Sequence, residues 1–390
     1  MYRYISIVLL CTLTFPLGVE AQYRGEVAVW VPWFQARLGA ERALEQIRKI
    51  DVLHPFVYEV NEHGVIENKV NFSDQHWRRL FAAARRERVQ VIPTIAWFDG
   101  EAIHATLSDR TRRRAHIEDI MDLVREHRFA GIDIDYEQKQ AETIDYFSSF
   151  LRELKRALGP RTLVCTIEAR TPPESRWREV PAVMQYANDY EQIHRQCDVI
   201  QIMAYDQQRA DITLNNERRG VPYMPVADRD WVEKVLQLAL EDFDAHKVRL
   251  GIPTYGRAWD VTVAPEWYRD YTRVATLNQP RILELSQKYA VPIGRSAGGE
   301  AVISFFPEDS IYTALNVLPT PAGTPRGFEA AAKALFFANA TGMEVPVRFI
   351  TWSDARAIED KLHLAKRYNL AGVAIFKVDG EEDPGLWRLF

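Results

Sequence analysis

Short runs of β-branched and aliphatic residues alternate with longer amphipathic stretches from about residue 26 to the carboxyl end. The runs predict eight strands: Glu26–Trp33, Val52–Glu59, Val89–Trp97, Gly131–Glu137, Thr162–Glu168, Val199–Tyr205, Val248–Tyr255 and Gly372–Phe376. Between them, stretches such as Thr111–Arg128 and Thr143–Leu158 carry Ile, Leu, Val and Phe at three- and four-residue steps, which predicts helices, and Gly159-Pro160 stops the second of these. Strands alternating with helices predict an α/β protein with a parallel sheet, and eight such units predict a closed (β/α)8, or TIM, barrel. One interval breaks the rhythm. About a hundred residues separate the seventh strand from the eighth, far more than an ordinary connection needs. Within it Pro280–Tyr289 and Gly327–Asn339 read as helices, Ala301–Phe306 as a strand and Pro319–Pro325 as a loop. The expectation is a small α+β insertion over roughly residues 260–348, on the face of the barrel where active sites are built.

The first residues follow a different pattern. Arg3 precedes the short apolar run Ile5–Pro16, and Val19-Glu20-Ala21 resembles a small-residue cleavage site, so residues 1–21 read as a signal peptide and 22–390 as the mature domain. The run is too short to span a membrane and no later window qualifies, so the expected destination is the periplasm or the exterior. Composition adds exclusions. A formal charge of −5 from 49 basic and 54 acidic side chains gives no electrostatic reason to expect nucleic acid as a partner. No Gly-rich phosphate loop follows a strand, and His54, His194 and His363 lack metal-ligand spacing, so neither a metal nor an organic cofactor is expected. Cys165 and Cys197 are the only cysteines of the mature chain; their spacing does not decide whether they pair, and two separate buried thiols is the simpler expectation.

The chemistry concentrates in Phe129-Ala130-Gly131-Ile132-Asp133-Ile134-Asp135-Tyr136-Glu137. Strand alternation puts Asp133, Asp135 and Glu137 on one face. Flanked by two amphipathic stretches, this strand is internal to the barrel, so the acidic face looks into the lumen. Like charges crowded there force some of the carboxyls to keep a proton, which makes the outermost one, Glu137, a candidate general acid. Side chains on one face of one strand cannot flank a reacting centre from both sides. The nucleophile therefore comes either from another strand, with Glu168 or Asp206 as candidates, or from the substrate itself.

The stretch around Glu137 resembles the signature of the family 18 glycoside hydrolases, chitinases and their relatives, which runs Asp-Gly-x-Asp-x-Asp-x-Glu. Three further segments match that family in order: Gln201-Ile202-Met203-Ala204-Tyr205-Asp206, Gly251-Ile252-Pro253-Thr254-Tyr255-Gly256-Arg257-Ala258-Trp259 and Gly372-Val373-Ala374-Ile375-Phe376. The resemblance implies a retaining glycosidase acting on N-acetylglucosamine-containing polymers, with chitin and peptidoglycan the leading ones, in which the substrate's acetamido oxygen is the nucleophile. It further implies that Glu137 protonates the leaving oxygen, that Asp135 orients the acetamido group with Asp133 behind it, and that Tyr205 donates to the acetamido oxygen. Asp206, Arg257 and Tyr255 would bind the sugar, Phe376 would form the floor, and Tyr58 and Trp97 would face the ring.

Two positions depart from the family pattern. Ala130 stands where its first Asp would be, and Phe376 replaces the usual Trp of the eighth strand, keeping a flat apolar face of smaller area. These departures keep open a non-catalytic glycan-binding barrel, although Glu137, Asp135 and Tyr205 are all in place.

Overall fold

The computed structural model describes residues 23–390, so the expected leader peptide lies outside the described residues. Seven parallel strands follow in chain order: β1 (Glu26–Pro32), β2 (Val52–Val60), β3 (Thr94–Trp97), β4 (Gly131–Tyr136), β5 (Thr162–Glu168), β6 (Val199–Met203) and β7 (Val248–Pro253). Each pairs with the next, and the eighth barrel strand, Gly372–Phe376, pairs with both β7 and β1, which closes the cylinder. The third predicted strand is interrupted: Pro93 follows the short Gln90–Val91 pairing, and the ladder resumes at Thr94.

Alternation along each strand separates two interiors. Outward residues such as Ile134, Ile167 and Ile202 meet the helices in one large core. The helix Ile144–Leu158 turns Phe147, Phe150, Leu151, Leu154 and Leu158 toward that core at helical spacing, and Gly159, at φ +60°, ends it. Inward residues fill the lumen, whose floor is Ala28, Trp30, Val52, Ile92, Val164 and Ala374. Gly131 starts β4 because a Cβ there would sit 2.0 Å from the Thr162 carbonyl oxygen of β5.

Between Gly256 and Trp352 the chain builds a five-stranded antiparallel sheet from β8 (Gly256–Ala264), β9 (Trp267–Leu277), β10 (Gly294–Arg295), β11 (Ala301–Phe305) and β12 (Val345–Trp352), in the order β9-β8-β12-β11-β10. The helix Gln279–Lys288 covers the face bearing Ala258, Ile303 and Ile350, and the helix Glu329–Thr341 covers the face bearing Val263, Val345 and Val347. The eighth barrel strand, labelled β13 here (Gly372–Phe376), follows after the helix Ala355–Arg367. Among the described residues no helix is long and apolar enough to cross a membrane.

Cys165 and Cys197 form a disulfide, with Cα atoms 6.0 Å apart, where two separate thiols are the simpler sequence expectation. Alternation explains the pairing. Cys165 lies on the outward side of β5, and Cys197 caps the end of the helix Tyr190–Gln196 that packs there.

Candidate active site

The site grows upward from β4. Asp133 is fully buried in the lumen, and its hydrogen-bond partners come from three other strands. Thr94 of β3 donates its hydroxyl to one carboxylate oxygen at 2.6 Å, Trp30 of β1 adds its indole N–H at 3.2 Å, and Thr166 of β5 donates to the other oxygen at 2.7 Å. Below, Gln201 donates to Thr166 at 3.1 Å, and Arg249 bridges Gln201 to Glu26. Burial pushes the Asp133 carboxyl up to about 6, although these three donors and Arg249 pull it down. The position of the missing acid, Ala130, packs against the apolar lumen floor, and both oxygens of Asp133 have donors without it. His54 also faces Asp133, at 4.0 Å, but burial and then the charge of Arg249 lower its pKa to about 3, outweighing the contact of its Nδ1 with the Ile92 carbonyl oxygen at 2.7 Å, so it stands neutral.

Asp135 lies one step higher. It is buried, and its Oδ1 has no hydrogen-bond partner. Its carboxyl is raised well above the usual range, chiefly by burial and then by the charges of Glu137, Asp133 and Glu168, with Lys139 opposing them. Glu137 follows the last strand residue, its N–H donating to the Trp97 carbonyl at 2.9 Å. The turn after it is tight: Gln138 has φ +56°, and its N–H donates to Glu168 at 3.1 Å. Burial, reinforced by Glu168, raises the Glu137 carboxyl to about 7, while Lys139 acts in the other direction. A carboxyl poised there holds a proton near neutrality and can release it.

Asp135 and Glu137 open into a cleft of about 860 Å³ at the carboxyl ends of the strands. Phe376 and Tyr205 lie in it as a stacked pair, ring centroids 5.5 Å apart at 12°. Burial holds the Tyr205 hydroxyl protonated, so it is a fixed donor. Asp206, at φ +53°, completes that corner and accepts two hydrogen bonds at 2.7 Å from one guanidinium nitrogen of Arg257. Arg257 and the buried Tyr255 therefore stand one layer behind the cleft wall, with Arg257 also donating to Thr276.

Two expected residues are elsewhere. Trp97 and Tyr58 are buried on the outward side of their strands, Trp97 against Tyr136 and His116, and Tyr58 against Phe72, so neither faces the cleft. The register gives the reason: Ala96 sits beside Asp135 and faces inward, which turns Trp97 outward beside Tyr136. The aromatic surface of the cleft comes instead from residues the sequence reading passed over, chiefly Trp30, Trp33, Phe34, Phe98 and Trp177. Trp33, Phe34 and Phe98 are each more than a third exposed, as rim residues that meet a ligand would be. Their only sequence signal is position, at or just past the carboxyl end of a predicted strand. Among the described residues, no group of three or more His, Cys, Asp or Glu side chains is arranged to hold a metal ion.

A closed parallel barrel, a column of acids along one strand and an open aromatic cleft above them describe a glycosidase. The family model of glycosyl hydrolases family 18 matches residues 47–381, and the chain belongs to that family. Among curated relatives it is 22% identical over 303 residues to an uncharacterized glycosylase, YvbX, of Bacillus subtilis, covering 75% of this chain and 69% of that protein. It is 23% identical to a cortical fragment-lytic enzyme of Bacillus subtilis, covering 75% of this chain and 56% of that one, so it spans only part of these relatives. Solved structures share the fold. A class V chitinase of Pseudomonas fluorescens superposes with a TM-score of 0.69 at 20% identity, covering 94% of this chain and 98% of that chain. The Bacillus cereus spore cortex-lytic enzyme SleL gives 0.66 at 20% identity, covering 95% and 74%.

Proposed function

We propose that the protein is a retaining, substrate-assisted glycosidase that cleaves N-acetylglucosamine-containing glycans outside the cytoplasmic membrane. The observation that carries this reading is the unpartnered, buried Oδ1 of Asp135, two residues from Glu137 on a strand whose end lines the cleft. A buried carboxylate oxygen without a donor costs free energy unless a ligand supplies one, and an acetamido N–H is a donor of the right kind.

Glu137 gives its proton to the glycosidic oxygen as the bond to the anomeric carbon breaks. The acetamido carbonyl oxygen attacks that carbon, forming a cyclic oxazolinium ion whose N–H is held by Asp135. Tyr205 donates to the acetamido oxygen and fixes its approach. Glu137, now ionised, takes a proton from water as the water opens the ring, which restores both the sugar and the acid. The column beneath keeps Asp135 and Glu137 partly protonated at rest, so charge develops where the site is arranged to receive it. A carboxylate nucleophile has less support: the two oxygens of Glu168 accept from Gln138 N–H and Asn188 Nδ2, with Lys139 at 3.8 Å. The Cys165–Cys197 disulfide fits an oxidising compartment, as does the amino-terminal leader pattern.

Glu137→Gln is expected to lower kcat on an N-acetylglucosamine oligomer by roughly a hundredfold or more while retaining binding. A thiazoline mimic of the cyclised intermediate is expected to compete with substrate. Turnover at the wild-type rate in the variant rejects Glu137 as the acid, and indifference to the thiazoline rejects the acetamido nucleophile.

A further inference from the structure

The charges around the cleft are not evenly matched. Its acidic side chains lie beside cations: Glu168 has Lys139 at 3.8 Å, Asp206 has Arg257 at 2.7 Å, and Glu59 shares Lys69, at 3.7 Å, with Glu67 at 2.6 Å. Asp135 and Glu137 have raised pKa values and so carry less than full charge. The cleft also has two cations, Arg176 and Arg209, and among the described residues neither has a carboxylate within ion-pair distance. Each guanidinium is held by an aromatic face, Arg176 at 4.7 Å from the ring of Trp177 and Arg209 at 5.0 Å from the ring of Tyr271. Stacking of that kind fixes the plane of the group and leaves its N–H edge free.

The segments that carry them are built together. Arg176 ends the helical turn Pro173–Arg176 after β5, and Arg209 lies in the loop after β6. Lys234 ties the two, donating to Ser175 at 3.2 Å and to the buried Asp211 at 2.7 Å. Two unmatched guanidiniums on braced neighbouring segments of one cleft form a positive wall suited to an anion.

We propose that Arg176 and Arg209 form a carboxylate subsite, so that the cleft selects glycans whose sugars bear acidic substituents over uncharged strands such as chitin. The proposal rests on the glycan-cleaving reading above and names the class of glycan. Two sugars of equal length separate the alternatives: an N-acetylglucosamine oligomer, and an oligomer in which alternate sugars carry an ether-linked lactic acid. Calorimetry with the Glu137→Gln protein is expected to show the acidic oligomer binding roughly tenfold more tightly at low salt, a preference that shrinks at high salt. Arg176→Gln combined with Arg209→Gln is expected to remove most of that ratio, and the corresponding Lys pair to restore part of it. Equal affinities, failure of the protein to bind either oligomer, or a preference that survives the double Gln substitution overturns the proposal. Hydrolysis by the wild-type protein is scored separately. If neither oligomer is cleaved, the enzymatic reading fails while the binding ratio still decides the subsite.

Discussion

Glu137 shows how a single side chain acquires its properties from neighbours of opposite sign. Its carboxyl is raised mainly by burial and next by the charge of Glu168, and Lys139 works against both. Removing Glu168 by Glu168→Gln deletes a charge that opposes ionisation and frees Lys139 from its partner, and both effects make Glu137 a stronger acid. The alkaline limb of kcat/KM, which in the wild type follows loss of the Glu137 proton near pH 7, is then expected to move toward lower pH. Lys139→Met has the opposite sign, because it takes away the cation that favours ionised Glu137 and leaves Glu168 uncompensated, so the limb is expected to move toward higher pH. Shifts of roughly half a pH unit or more are expected for charges this close. pH–rate profiles of the two variants test the assignment. Displacement of both limbs in the same direction rejects it.

Elements set what those residues can reach, and here much of the site depends on the return segment between β5 and β6. The loop after Glu168 carries Arg176 and Trp177 and has little regular structure of its own before the helix Tyr190–Gln196. The Cys165–Cys197 disulfide closes it at both ends, 32 residues apart in sequence, and both half-cystines are buried. Replacing both by Ala is expected to cost about 2–4 kcal/mol in denaturant unfolding, with the loss absent from the wild type unless it is reduced. An unchanged midpoint would mean that the segment is held by packing alone. The pairing could not be read from spacing, since it depends on which face of β5 meets which helix. The same limit explains Trp97 and Tyr58. Period-two alternation gives the inward face of one strand, and Asp133 and Asp135 disclose it for β4, but the phase of a neighbouring strand follows from register, which composition does not encode. Thr162–Glu168 and Gly372–Phe376 were legible to the residue because apolar runs end there at recognisable boundaries. Strand β9 left no such trace: it lies at an edge of its sheet, and its residues are half-exposed or exposed along its length, so no buried face imprints a period.

At the scale of the whole molecule, the sheet inserted after β7 joins the barrel in fixing the site. The buried Glu300, just before β11, accepts from the N–H groups of Val226 and Ala227 at 3.0 and 2.8 Å, and the Val226 carbonyl in turn accepts from Gln207, the residue after Asp206. A scaffold braced in this way can keep ionisable groups where water would not leave them. The cost falls on stability, because a carboxyl whose pKa rises from 4.5 to about 7 on folding disfavours the folded state once it ionises. Below the unfolded value the carboxyl is protonated in both states and the cost is absent. It grows as pH climbs between the two values and is complete above the folded one. Glu137→Gln, which removes the charge but keeps the shape, is therefore expected to unfold at nearly the wild-type temperature near pH 4 and roughly 2 °C higher at pH 8, while turnover is lost at both. Calorimetric melts at the two pH values test this. A variant less stable than the wild type at pH 8 would show that ionised Glu137 is better solvated than its place above the acid column implies.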